Sequence, residues 1–139
     1  MFHYSLFLEI FMRILIIDND LSIRKAVSLG IQKNDWIIDT AEDTINDAIT
    51  LLGQYQYDII IANLTMEEEH TINVIREIKQ QTPETIVIGM TRGSASEFFS
   101  ENNMDFFNAC YQKPLHLKML KKVIDLELKK LAAIADDVE

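Results

Sequence analysis

Cysteine, proline and glycine are scarce in this chain, and positive charge runs short. One cysteine, Cys110, among 139 residues excludes an internal disulfide and cannot build a thiolate metal site, as suits a cytoplasmic protein. Four glycines and two prolines leave no Gly/Ser linker, repeat or low-complexity tract. The count of 13 Lys and Arg against 22 Asp and Glu gives a net charge of −9. Phosphate backbones are held by basic faces, so nucleic acid is not expected as a partner. The histidines His3, His70 and His116 are scattered, and no metal cluster follows from them. Nor is there an uncharged run of about 20 residues that would span a membrane. The apolar opening is interrupted by Glu9 and Arg13 and ended by Asp18, and it lacks the basic start and small-residue cleavage site of a signal peptide.

What is present suits one domain with a real core. The apolar share is 48 %, which is too high for a disordered chain. The length is that of a single ordinary domain. Residues 1–12 read as an extension, 13–131 as the domain and 132–139 as an acidic tail. Met12 stands directly before a strand pattern, so residues 1–11 are either the product of an upstream start or an apolar arm that packs on the domain or a partner.

From residue 13 onward, apolar runs alternate with amphipathic stretches. Arg13–Ile17 is a continuous apolar run ending in acid, the pattern of a strand buried on both faces. Leu21–Asn34 carries Ile23, Val27 and Ile31 in helical register, with Asp20 or Ser22 placed to cap it. Trp36–Ala41, Tyr57–Ala62, Thr85–Met90 and, more weakly, Phe106–Tyr111 read as strands. Asp43–Gln54, Thr71–Gln81 and Leu115–Ala135 read as helices, and Pro83 stops the second of them. Ser94-Ala-Ser-Glu97 opens a short helix over 94–103 with a capping box. Asp136, Asp137 and Glu139 read as a fray, and the six methionines as core filler. Strict alternation predicts an α/β fold with a doubly wound, five-stranded parallel sheet between two helical layers. Ligands of such sheets sit at the carboxyl ends of the strands, where the winding reverses.

Those ends present Asp18-Asn19-Asp20, Asn63, Thr91 and Lys113-Pro114. The four segments Ile14–Asp20, Asp58–Met66, Ile86–Thr91 and Gln112–Pro114 resemble, in order and spacing, the motif blocks of bacterial response-regulator receiver domains. The likeness covers about residues 13–131 and implies the (βα)5 flavodoxin/CheY-like architecture. It maps the family's acidic doublet onto Asp18 and Asn19, its phosphoacceptor aspartate onto Asn63, its switch hydroxyl onto Thr91 and its lysine onto Lys113. In an intact receiver, carboxylates hold Mg²⁺ while an aspartate takes a phosphoryl group.

Departures gather at the same pocket. An amide is not a phosphoryl acceptor, and Asn19 replaces a metal-binding carboxylate, so Mg²⁺ binding is expected to be weak or absent, with Asp18 and Asp20 as the remaining acids. Asp20 is also a natural helix cap. Glu67-Glu-Glu-His70 stands where the family shapes its loop with proline and glycine. Arg92 replaces the small residue after the switch hydroxyl, and Cys110 replaces an aromatic switch residue. Asp18, Lys113 and Arg92 are candidates for a standing ion-pair network; alternatively Lys113 only offsets Asp18 and Asp20. Asn63 is open to two readings, a mimic of one signalling state or drift after loss of function. The Glu67–Glu69 run reads as a solvated loop or a lure for a basic partner, and Cys110 as packing or a redox sensor. Phe98, Phe99 and Tyr111 lie where the family's output face would be and are candidate interface residues.

The leading expectation is a stand-alone pseudo-receiver, not an enzyme. It would act in two-component-type signalling by phosphorylation-independent contact with a sensor kinase, another regulator or a second copy as a homodimer, the length leaving no room for an output domain. The alternatives are a receiver phosphorylated on a substitute acid and a flavodoxin-like binder of a small ligand. The latter lacks a Gly-rich phosphate loop after the first strand.

Overall fold

The structure is a computed structural model, and it describes residues 12–33, 35–64, 68–92, 107–113 and 117–137. Strand β1 (Met12–Ile17) leads into helix α1 (Leu21–Ile31) and strand β2 (Trp36–Ala41). A wide helical turn over Thr44–Ala48 runs into α2 (Ile49–Gln54). Then follow β3 (Ile59–Asn63), α3 (Glu68–Gln81), β4 (Ile86–Thr91), β5 (Ala109–Gln112) and α4 (Leu117–Asp137). All strand pairs are parallel, in the order β2-β1-β3-β4-β5. The expected five-stranded, doubly wound sheet is therefore the observed one.

Strands β3 and β4 are buried along their whole length, which is why they read as unbroken apolar runs rather than alternating ones. Their side chains divide between two layers. Ile14, Ile16, Ile59, Ile61, Ile86 and Ile88 meet Val27 and Ile31 of α1 and Leu120, Val123 and Ile124 of α4. On the other face Leu15, Ile17, Ile60 and Val87 meet Ala48 before α2 and Ile72 and Ile75 of α3. Each fully buried isoleucine contributes about 1.5–3 kcal/mol of burial free energy, so this central sheet dominates stability. Gly89 on β4 is required by that packing. A Cβ there would stand 2.5 Å from Leu64 Cδ1 and 3.1 Å from Phe107 Cε1, so a larger residue would have to displace the buried Leu64 side chain.

Several boundaries differ from expectation, each for a physical reason. Helix α1 stops at Ile31, because Gln32 turns extended (ψ 130°) and its side chain donates to the carbonyls of Lys33 and Trp36. Helix α3 begins at Glu68, not Thr71, so Glu68 and Glu69 lie in a helical first turn rather than a loop. An acid such as Glu69 is favoured in a first turn by the exposed N–H groups and the helix dipole. Strand β5 is shorter than predicted and begins at Ala109, and α4 continues to Asp137, so Asp136 and Asp137 are helical rather than frayed. Met90 is core, but Met119 is 48 % exposed and fills none. The predicted helix over 94–103, with Phe98 and Phe99, lies outside the described residues, as do Glu67 and Pro114.

Candidate functional site

The winding reverses between β1 and β3: from β1 the chain passes outward to β2 and then back across to β3. Asp18 follows β1 and Asn63 ends β3, so both stand at the carboxyl edge of that reversal. Asp18 is held there because its N–H continues the ladder to the Ala41 carbonyl at 3.0 Å. Its side chain is fully buried, and three donors satisfy it. Oδ1 accepts from the Asp20 backbone N–H at 3.0 Å and from Asn63 Nδ2 at 3.3 Å. Oδ2 accepts from Lys113 Nζ at 2.9 Å.

Lys113 arrives from the opposite end of the sheet. Its own N–H bonds the Thr91 carbonyl at 2.6 Å, which ties the end of β5 to the end of β4 and aims the ammonium back across the pocket. Thr91 is fully buried and Asn63 nearly so. The orientation of the Asn63 amide follows from charge: its NH₂ group must face the carboxylate, since its oxygen would be repelled. The arrangement is thus a buried carboxylate, an ammonium and an amide that already satisfy one another.

The remaining predicted residues lie outside this cluster. Asp20 is exposed, and its Oδ1 caps α1, accepting from Ser22 N–H at 2.9 Å and Ile23 N–H at 3.4 Å. Asn19 and Arg92 are exposed as well. The charged partner of Asp18 is Lys113, which favours simple charge compensation over a network through Arg92. Cys110 is half-buried against the α2/α3-side core, and burial pushes its thiol up, away from the thiolate a redox sensor needs. Tyr111 is half-buried against the α1/α4-side core, so only part of it is open to a partner.

Among the described residues the donor set does not fit Mg²⁺. That ion demands near-octahedral oxygen coordination with carboxylates in its shell. Both Asp18 oxygens are committed to N–H donors, the Asp20 carboxylate is turned to a helix cap, and positions 19 and 63 offer neutral amides. Among the described residues no group of three His, Cys, Asp or Glu is placed to hold a metal ion. Phosphoryl chemistry fares no better at Asn63, because the amide delocalises its lone pair and forms no acyl phosphate.

Two sets of contacts were not foreseen from sequence. Arg24 Nη1 donates to the Asp18 carbonyl at 2.7 Å, bracing the loop from α1. At the far, amino end of the strands, Arg13 Nε and Tyr57 Oη both donate to Asp39 Oδ2, at 2.9 and 2.7 Å. The Arg13 guanidinium also stacks 3.5 Å from the Tyr55 ring centroid. The one acid of β2, Asp39 within Trp36–Ala41, was the hint of this in the sequence.

A doubly wound parallel sheet with an acid, an amide, a hydroxyl and a lysine at its strand ends defines the class: a flavodoxin-like α/β domain with a polar pocket at its switch point. Residues 14–125 match the family model of the response regulator receiver domain, and the chain belongs to that family, whose place is two-component signalling. Solved structures agree on the fold. The chain is similar to a response regulator receiver domain protein from Clostridium thermocellum (TM-score 0.74, 18 % identity, 88 % of this chain and 98 % of that one). It is also similar to the chemotaxis response regulator CheY4 of Vibrio cholerae (0.73, 21 %, 84 % and 98 %). A two-component response regulator from Clostridium difficile is comparable (0.75, 20 %, 86 % and 98 %). No curated protein matches the chain significantly. No described helix is long and apolar enough to cross a membrane.

Proposed function

We propose that this chain is a pseudo-receiver: a cytoplasmic, non-enzymatic member of the family that signals by protein–protein contact without being phosphorylated. The observation that carries the reading is Asn63 at the acceptor position, buried and donating to Asp18, whose other oxygen is taken by Lys113. Among the described residues the charges at these strand ends are already matched, which supports a pocket that takes up neither a phosphoryl group nor its metal. Regulation then rests on the abundance of a protein partner, which is a sensor kinase, another regulator or a second copy of this chain.

The test is incubation with a small phosphoryl donor and Mg²⁺, followed by intact-mass measurement. The expected spectrum shows the unmodified chain only. Near-complete gain of one phosphoryl group, mapped by peptide analysis to Asp18, Asp20 or a glutamate, would instead establish the substitute-acid reading and end this one.

A further inference from the structure

Charge is divided unevenly between the two helical layers. Helix α1 carries Arg24 and Lys25 and no acid, and Lys33 follows it. Helix α4 carries Lys118, Lys121, Lys122, Lys129 and Lys130. The layer across the sheet presents acids to solvent instead: Asp47 in the turn before α2, and Glu69 and Glu77 on α3. Helices α1 and α4 are neighbours, since both pack on the same isoleucines and Lys33 Nζ stands 3.6 Å from Asp125 Oδ1. A chain with 22 acids and a net charge of −9 therefore gathers most of its cations on one layer.

Those cations are largely unmatched. Lys33 pairs with Asp125, and Lys130 with the buried Glu127. Lys25, Lys118, Lys121, Lys122 and Lys129 are exposed and enter no ion pair among the described residues. Lys118 stands three and four residues from Lys121 and Lys122, the helical spacing at which like charges repel. Carboxylates from outside the chain would offset that cost. The same rows hold apolar groups. Leu29, 80 % exposed, sits four residues after Lys25 and four before Lys33. Leu126, 52 % exposed, sits four residues after Lys122 and four before Lys130. One exposed leucine is ordinary. A leucine bracketed by lysines on each of two adjacent helices is an apolar contact inside a charged rim.

We propose that the outer face of α1 and α4 is a docking surface for an acidic amphipathic helix of a partner protein, with Leu29 as its apolar anchor. The proposal rests on the reading that the chain signals by protein contact, and it names the chemistry of the partner. Glu or Asp four residues to either side of a leucine on the partner helix would answer the Lys-Leu-Lys rows. A bilayer asks for a continuous apolar face, which these single leucines do not supply. A second copy offering the same face would bring lysine against lysine.

The probe is a synthetic helix of about 20 residues with Glu-Leu-Glu at four-residue spacing, set against a peptide of the same composition with its leucines shuffled. In titrations of the full chain followed by amide shifts, the designed peptide should perturb α1 and α4, and NaCl should weaken it. Lys25→Glu and Leu29→Gln, both at exposed positions, should each weaken it about tenfold. Gln80→Glu with Gln81→Glu, which changes net charge as much as Lys25→Glu but on α3, should not. No binding of the designed peptide, equal binding of the shuffled one, or shifts centred on α3 or β5 would overturn the proposal. Tighter binding of phosphatidylglycerol vesicles or poly-uridine, lost in the same variants, would replace it with a lipid or nucleic-acid surface. Self-association of the chain that the peptide reverses would replace it with a contact between copies. Phosphorylation in the mass measurement would end the pseudo-receiver reading, while the peptide titration decides the docking surface on its own.

Discussion

At the scale of single residues, the pocket turns on one buried charge. Asp18 is fully buried and Lys113 is 15 % exposed, so their pair is shielded from solvent and salt. Removing one member of such a pair costs more than the pair itself contributes, since the survivor is stranded without its counter-charge. Lys113→Met is therefore expected to destabilise the protein by about 3 kcal/mol in urea unfolding. Adding Asp18→Asn should recover part of that loss, because a neutral amide needs no ammonium. Strict additivity of the two substitutions in a double-mutant cycle would mean that the contact carries no coupling. The identities of Asp18, Asn63 and Lys113 were legible in the sequence, because three strand ends in parallel register must converge. The hydrogen-bond partners were not, because Asp20 reads equally well as a ligand and as a cap. Only the geometry of the turn, with Asp20 accepting from Ser22 and Ile23, separates the two.

At the scale of elements, β1, β2 and the segment leading into β3 are bound together by a polar network anchored on aromatic rings. Arg13 on β1, Asp39 on β2 and Tyr57 just before β3 share one carboxylate oxygen. Tyr57 is buried, and its phenol is held well above the usual range, first by desolvation and then by its hydrogen bond to the Asp39 carboxylate. The folded state therefore keeps this proton at pH values where the unfolded chain, with an ordinary tyrosine near 10.0, releases it. Stability from Tyr57 is full below that value and is lost as pH rises through it toward the raised folded one. Tyr57→Phe should cost about 2 kcal/mol at neutral pH for the charge-assisted bond. It should also flatten the fall of the urea midpoint as pH rises above about 10. Parallel pH curves for the two proteins would refute the assignment. The element boundaries that sequence reading missed share a cause. At β5, at the start of α3 and at the end of α4, the apolar pattern is short or interrupted by charge, so periodicity alone leaves the termini open.

At the scale of the whole molecule, the architecture was legible because a parallel sheet covered on both faces writes long isoleucine-rich runs, such as Ile59–Ile61, that little else produces. The net charge of −9 says little about the pocket, whose own acid is paired with Lys113; it describes the surface instead. These two meanings of negative charge predict different responses to salt. Diffuse surface charge is screened by any electrolyte, so NaCl and MgCl₂ should raise the thermal midpoint equally at matched ionic strength. A specific site would add RT ln(1 + [Mg²⁺]/Kd), about 2.7 kcal/mol at 100 times Kd and several degrees in midpoint. For this chain no such excess is expected. The double substitution Asn19→Asp with Asn63→Asp restores two carboxylates beside Asp18, and like charges brought together should then be relieved by Mg²⁺ but not by Na⁺. Calorimetric scans of both proteins in the two salts decide the matter. A saturable, Mg²⁺-specific rise in the unsubstituted protein would show that Asp18 gives up Lys113 for a metal, and that the pocket is open to the chemistry its amides otherwise forbid.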